Sequence, residues 1–435
     1  MKRKSIQFFA VFLLLSGSGL AAQEKFTPKT IQFKGAPEYS DQELMAAAGL
    51  KKGTVLAFAE MKDHSQKLID TGLFDTLSFK FDGVDLVYTL VPSTTLYPIH
   101  LDNLPLTPGK ELDAALHDRF PLYHGKVPAE GGLTEQVRQA LEEMLAVKGI
   151  HASVMAATYA DLKLHKITTV TFSITAPPVR VGAIHLDGVS AALQAQVKHV
   201  ADHETGSSFD TDNAEGNLEH AFTLFYSDEG YAAVKVHASR SGDPVATTEA
   251  IDIPFSVTVE EGRRYKLGSI YLPSGAPLTI AELNRAAGIE SSKNEKMTIK
   301  DGVILRTALL YLNGQYKSKG YMDCLITPHP QFDEASGTVN YSVEIAPGPV
   351  YHLAFVKFEG VSDDLRSHLM RVWQMLPGDP FDASYVSSFI LKAQKDDPVL
   401  MRSLAGVKIS FDVRADQQTH DVNCVIHFAR AQQTP

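Results

Sequence analysis

Residues 184–231 hold three words that decide the fold: IHLDG at 184–188, GSSFDT at 206–211 and FYSDEGY at 225–231. The first is an apolar strand closed by Gly188. Eighteen residues later Gly206 opens a G-x-x-[apolar] turn. The same interval separates Gly35 from Gly53, between IQFKG and GTVL, and Gly360 from Gly378, between VKFEG and GDPFDA. Self-similarity at a fixed interval marks a chain built by repeating one small supersecondary unit. Reading one copy therefore governs the rest.

In that copy residues 181–186 read as a strand and 191–200 as a short helix. Asp210 or Asp212 then caps a second helix, because a side-chain oxygen there satisfies free amide donors. Leu218, Phe222 and Phe225 fall on one face of that helix. Gly230 ends it as a left-handed cap and Tyr231 begins the next strand. Ile251, Ile253, Phe255, Val257 and Val259 alternate with polar residues, the period of a half-buried strand.

The helix-ending pair recurs as Gly72-Leu73, Gly149-Ile150 and Gly320-Tyr321. Alternating last strands recur at Leu86/Tyr88/Leu90, Val170/Phe172/Ile174, Val339/Tyr341/Val343 and Val422/Cys424/Ile426/Phe428. The expectation is an α+β chain of five tandem β-α-α-β-β modules, each a three-stranded mixed sheet with two helices. Their spans are 23–93, 94–177, 178–262, 263–348 and 349–435. The joins EGRRYKL (261–267) and PGPVYHL (347–353) contain no Gly/Ser run, so neighbours should be closely coupled. Two copies depart from the pattern. The second has Asn103 for the strand-ending Gly and a Pro/Gly-rich stretch at 121–132. The fifth has extra sequence at 392–404, read as a loop.

The ordered combination resembles the polypeptide-transport-associated (POTRA) domain, best in the copies holding IQFKG, GTVL and LIDTGLF, and IHLDG, GSSFDT and FYSDEGY. The resemblance spans residues 29–430. It implies a mixed three-stranded sheet backed by two helices, a periplasmic setting, and work in assembling or exporting outer-membrane polypeptides. It also implies that the second strand of each module lies at a sheet edge: 76–81, 152–157, 232–239, 322–328 and 407–413. Five copies resemble the outer-membrane assembly proteins that continue into a barrel. No barrel is expected in this chain, since no run of ten-residue alternating strands follows the fifth copy.

The remaining signals bound the function. Lys2, Arg3 and Lys4, an apolar run from Ile6 to Leu15 and small residues up to Ala22 read as a secretory signal peptide at 1–22. Beyond it no stretch is long and apolar enough to span a membrane. A net charge of −10 without long single-sign blocks argues against nucleic acid as partner. Cys324 and Cys424 lie in apolar alternation in different modules and read as buried free thiols. His199 and His203 share a helix face, but no third ligand stands beside them. His64 reads as a partly buried helix residue, and Trp373 as core. No P-loop, nucleophile elbow or zinc-protease motif occurs. No catalytic residue, cofactor or metal ligand is assigned, and the chain is read as non-enzymatic.

The positive candidate is a sheet edge, whose free amides and carbonyls can take up another extended chain. Val234, Lys235, Val236, Asp323 and Leu325 are the residues singled out. Charged residues there fit a binding edge or a protected one equally. The expected role is a periplasmic scaffold binding outer-membrane protein precursors or envelope polypeptides. The alternatives are a docking subunit for a separately encoded barrel that touches no client, and a periplasmic enzyme using the loops of modules two and five.

Overall fold

The computed structural model describes residues 25–161, 166–286 and 300–430. The signal peptide read at 1–22 lies outside the described residues. The chain divides into two compact units, residues up to 220 with 237–258, and residues 221–236 with 259 onward.

The elements run in the expected order. First come β1 (Lys25–Phe26), β2 (Thr30–Lys34), α1 (Asp41–Ala48), β3 (Leu56–Ala57), α2 (Phe58–Asp70), β4 (Phe74–Phe81) and β5 (Asp85–Pro92). Next are β6 (Leu96–Leu101), α3 (Lys110–Arg119), β7 (Lys126–Pro128), α4 (Gly132–Val147), β8 (Ser153–Asp161) and β9 (Lys166–Ala176). Then follow β10 (Val179–Asp187), α5 (Gln194–Glu204), α6 (Ala214–Asp228), β11 (Lys235–Arg240), β12 (Val245–Ala246) and β13 (Ile251–Glu260). After these come β14 (Lys266–Tyr271), α7 (Ile280–Ala286), α8 (Asp301–Lys317), β15 (Leu325–Asp333) and β16 (Thr338–Ala346). The last are β17 (His352–Glu359), α9 (Asp363–Val372), α10 (Ala383–Asp396), α11 (Pro398–Ser403), β18 (Val407–Ala415) and β19 (Asp421–Arg430).

The sheets are ordered β2-β5-β4, β7-β6-β9-β8, β10-β13-β11, β14-β16-β15 and β17-β19-β18. In each, the last strand of the copy is central. It runs parallel to the first strand and antiparallel to β4, β8, β15 and β18. The fold is α+β with mixed sheets. The alternating residues of the central strands are the buried ones, among them Tyr88, Phe172, Phe255, Val343 and Cys424. One face of each strand serves a core, and that is what the period of two encodes.

Local chemistry explains the recurrent words. Gly35 and Gly360 end their strands at φ 91° and 80°. A Cβ on either would lie 2.1 Å from the carbonyl oxygen of Leu90 or Phe428 on the central strand. Only glycine allows that approach. In the second copy Asn103 stands there instead. Its side-chain amide donates to the Ile174 carbonyl (3.0 Å) and accepts from the Ile174 N–H (2.7 Å). The amide side chain thus makes its own pair with the central strand.

Several expectations need adjustment. The face of α6 that is buried is Leu218, Phe222 and Tyr226, with Phe225 half-buried. Residues 392–404 are not a loop: α10 runs to Asp396, Asp397 caps α11, and Leu400 and Leu404 are buried. The 121–132 stretch contributes strand β7, which pairs with β6. Its Gly131 and Gly132 lie where a Cβ would be 2.7 Å from the Thr71 and Asp70 carbonyls, so the composition reflects backbone-to-backbone packing. Cys324 sits just ahead of β15 rather than on it. Both cysteines are free and buried, Cys324 among Leu283, Leu312 and Val343, Cys424 among Phe358, Leu369 and Phe381. Burial raises both thiols, that of Cys424 to about 11.

Candidate functional site: the sheet edges

A sheet of this order has two edges, and the chain treats them differently. In three of the sheets the first-strand edge is taken by another segment of the chain, in two of them by the G-x-x-F word. In the third sheet Gly206 donates to the Val181 carbonyl (2.8 Å), Val181 donates to Ser207 (2.9 Å), and Phe209 donates to Val179 (3.0 Å). In the fifth, Gly378 donates to Leu353 (2.7 Å), Leu353 to Asp379 (2.9 Å) and Phe381 to Tyr351 (2.8 Å). In the second, β7 does this on β6. The repeated word is therefore an edge-closing device. The opposite edges are β4, β8, β11, β15 and β18, each a second strand.

Closer inspection separates these five. On β11 the Ser241 N–H just beyond the strand donates to Pro254 of β13 (2.9 Å), so by alternation the N–H groups of 236, 238 and 240 point away from it. Ala238 N–H goes instead to the Glu219 carboxylate (3.0 Å) and Arg240 N–H to that of Glu215 (3.4 Å), both on α6. On β8, Val154 donates to Glu142 (2.8 Å) and accepts from Arg138 (3.2 Å), both on α4. On β15, Pro328 and Pro330 are in unbroken register with β16. Their nitrogens must face outward, so the outer row loses two donors at its middle. Strand β4 is bulged between Phe74 and Thr76, and its far end meets Phe26, stacked on Phe81 at 4.2 Å.

The register of β18 against β19 is continuous from Val407 to Ala415. Asp416 N–H donates to Asp421 (2.8 Å), which sets the alternation: Ile409, Phe411 and Val413 carry the outward N–H groups. Among the described residues, β18 is the edge with no carboxylate cap, proline or bulge along its outer row. Phe411 and Val413 are 42% and 38% exposed, so an apolar surface accompanies the free backbone.

The residues singled out from sequence fall as follows. Lys235 opens β11 and pairs with Glu260 (3.0 Å); its own N–H faces β13, although its side chain is in solvent. Val236 is half-buried and carries an outward N–H. Val234 precedes the strand. Asp323 lies in the turn before β15, where its carboxylate accepts from Tyr351 OH (2.6 Å), a hydrogen bond that raises the tyrosine to about 12. Leu325 opens β15 and is 64% exposed. The reading missed Glu215 and Glu219, four apart on one helical face. It also missed Phe411, because the outward parity of a strand depends on its pairing register.

His199 and His203 are both exposed on α5. One cleft of about 480 Å³ is lined by Lys67, Asp70, Arg119, Phe120 and Gln136, among others. Among the described residues no helix is long and apolar enough to cross a membrane.

No protein-family model matches the chain. A curated relative, outer membrane protein assembly factor BamA of Buchnera aphidicola subsp. Acyrthosiphon pisum (strain APS), is 20% identical over 398 residues, 87% of this chain. The chain spans 61% of that relative's length. Among solved structures, POTRA3-5 of Haemophilus influenzae BamA is 15% identical, covering 58% of this chain and 97% of its own, with a TM-score of 0.37. POTRA1-3 of the periplasmic domain of Omp85 from Anabaena is 20% identical, covering 59% and 97%, with a TM-score of 0.21. The first-last-second strand order and the two helices per sheet are those that the resemblance to the POTRA domain implies. The chain is similar to a POTRA domain array.

Proposed function

We propose that this chain is a non-catalytic periplasmic scaffold that receives extended segments of outer-membrane or envelope polypeptides by β-strand addition, in outer-membrane protein assembly or secretion. The single observation that carries the reading is the asymmetry of the edges. The first-strand edges of β6, β10 and β17 are closed by the chain itself, whereas β18 presents outward donors at Ile409, Phe411 and Val413 with apolar side chains beside them. Backbone pairing gives affinity with loose sequence demands, which suits a receiver of varied unfolded chains. The name of the curated relative, an outer membrane protein assembly factor, agrees with this role. The five sheets also support reading the chain as five modules with borders near 94, 178, 263 and 349; the signal peptide at 1–22 rests on the sequence alone. Val236 and Leu325 belong to secondary edges, narrowed by the α6 carboxylates and by Pro328 and Pro330.

The test is a pair of variants at one position. Phe411→Pro removes an outward N–H without touching the β19 ladder; Phe411→Ala keeps the N–H and removes the ring. Titrating a peptide that copies one outer-membrane barrel strand, Phe411→Pro should weaken binding about 3–10-fold beyond Phe411→Ala, the worth of one hydrogen bond. Equal losses would mean recognition by the ring. Unchanged binding in both would remove β18 as the site. The capped β8 and β11 edges favour a second reading, a docking subunit for a separately encoded barrel. Failure of the wild type to bind any such peptide would select it.

A further inference from the structure

Away from the edges, three ligand-type side chains of the first unit converge. Glu43 on α1, His117 near the end of α3 and His124 in the segment before β7 each place one ligand atom within 4.8 Å of the other two. Glu43 Oε1 is 3.1 Å from His124 Nε2 and 3.8 Å from His117 Nε2. Four ligands about 2.0–2.1 Å from a tetrahedral zinc are roughly 3.3–3.4 Å from one another. The two measured separations bracket that value, and rotation of the half-exposed imidazoles closes the remainder.

The surroundings prepare each group for this use. His117 Nδ1 lies 3.0 Å from the carbonyl oxygen of Tyr123, which can only accept, so Nδ1 carries the proton and Nε2 presents its lone pair. Tyr123 is buried, and its hydroxyl donates to Asp113 (2.9 Å), which fixes that carbonyl in turn. Such an outer hydrogen bond orients a metal-binding imidazole and makes it more basic. Glu43 is divided in its tasks. Its Oε2 accepts from Ser40 N–H (2.6 Å) and Ser40 Oγ (2.8 Å) in the α1 capping box, which leaves Oε1 aimed at the histidines. The His124 ring packs 4.9 Å from that of Tyr39. The segment holding His124 also belongs to the Pro/Gly-rich departure at 121–132, which the repeat pattern left without a role.

We propose that Glu43, His117 and His124 form a zinc site that ties α1 of the first repeat to the α3–β7 segment of the second. Two imidazoles and one carboxylate are ligands zinc accepts, and water completes the fourth position. On binding, His124 gives up its Nε2–H···Oε1 contact. The proton moves to Nδ1 through solvent, and Nε2 turns its lone pair to the metal.

The full-length, untagged mature chain, stripped with chelator at neutral pH, should take up one equivalent of Zn²⁺ in competition with a chromophoric chelator. His117→Ala, His124→Ala and Glu43→Gln should each lower the affinity by at least about tenfold. Gln at 43 keeps an oxygen for the Ser40 cap, which guards the helix. His199→Ala/His203→Ala should leave the affinity unchanged. If a histidine variant fails to fold, the wild-type ligands in the His199→Ala/His203→Ala background decide by Co²⁺ substitution. Intense four-coordinate absorption supports the site, and weak six-coordinate absorption or none overturns it. Zinc uptake unaltered in His117→Ala/His124→Ala, or no uptake by the wild type, overturns it equally.

Discussion

Gly320 follows α8 at φ 90°, and a Cβ there would lie 2.8 Å from the Tyr351 carbonyl oxygen and 2.9 Å from Val350 Cγ1. Two separate physical reasons therefore demand glycine: a left-handed backbone and the absence of space. Gly149 has a φ of 77° but nothing within 4 Å of such a Cβ. Gly320→Val should lower stability by about 1–3 kcal/mol from the backbone alone, with the clash added. Gly149→Ala should cost only about 1 kcal/mol. Chemical denaturation of the two variants separates the reasons. Equal losses would show that space around Gly320 relaxes freely. The cap itself was legible in the sequence, as Gly followed by an apolar residue. The crowding was not, because Tyr351 is thirty-one residues away along the chain.

At the scale of elements, the edge strands are alike in sequence character and unlike in accessibility. Strand β11 is closed by its own neighbour helix: Glu215 and Glu219 accept from its outward N–H groups, and Glu219 also meets His237 Nδ1 at 3.0 Å. A carboxylate holding an edge amide is a guard against unwanted pairing. Glu215→Ala/Glu219→Ala should free Ala238 and Arg240 and add a second binding site for the extended peptide that β18 takes. The measurement is stoichiometry by titration. A ratio that stays at the wild-type value would mean the carboxylates are not what closes this edge. Lys235 cannot serve as the probe of an outer donor. Its side chain faces solvent, but its N–H faces β13, and proline there would break the ladder. Side-chain direction and N–H direction alternate about different axes of a strand, and only the second bears on strand addition.

At the scale of the whole molecule, each copy keeps its own sheet, and where two copies meet within the second unit the tie is repeated. Tyr265 N–H donates to the Gly230 carbonyl and Tyr351 N–H to the Gly320 carbonyl, both at 2.8 Å. Tyrosine hydroxyls add a second link, Tyr226 to Glu261 (3.0 Å) and Tyr351 to Asp323 (2.6 Å). Tyr265, Tyr351 and the acceptor Glu261 stand in the short joins EGRRYKL and PGPVYHL, so the coupling predicted from their composition has a named chemical form. Cys324 and Cys424 report on two different cores of this unit. Neither should react with a thiol reagent in the native protein, and the intact mass should be that of two free thiols. Fast labelling without denaturant would contradict the burial. In denaturant, single-cysteine variants should become reactive at separate midpoints if stability is local to each repeat.

The repeat, the strand-helix-helix-strand-strand order and the central strands could be read from residues 184–231 and their echoes, because periodicity is a local property of the chain. So could the caps at Gly230 and Gly320, which answer to backbone conformation within one turn. Tertiary structure alone decided which edge stays open. That depends on register between β18 and β19, on carboxylates of α6 and α4 reaching over β11 and β8, and on which way two prolines face in β15. It also decided that Asn103 stands in for a glycine, and that Glu43 meets two histidines more than seventy residues distant. Contacts of this kind are set by how elements pack, and no spacing along one chain encodes them.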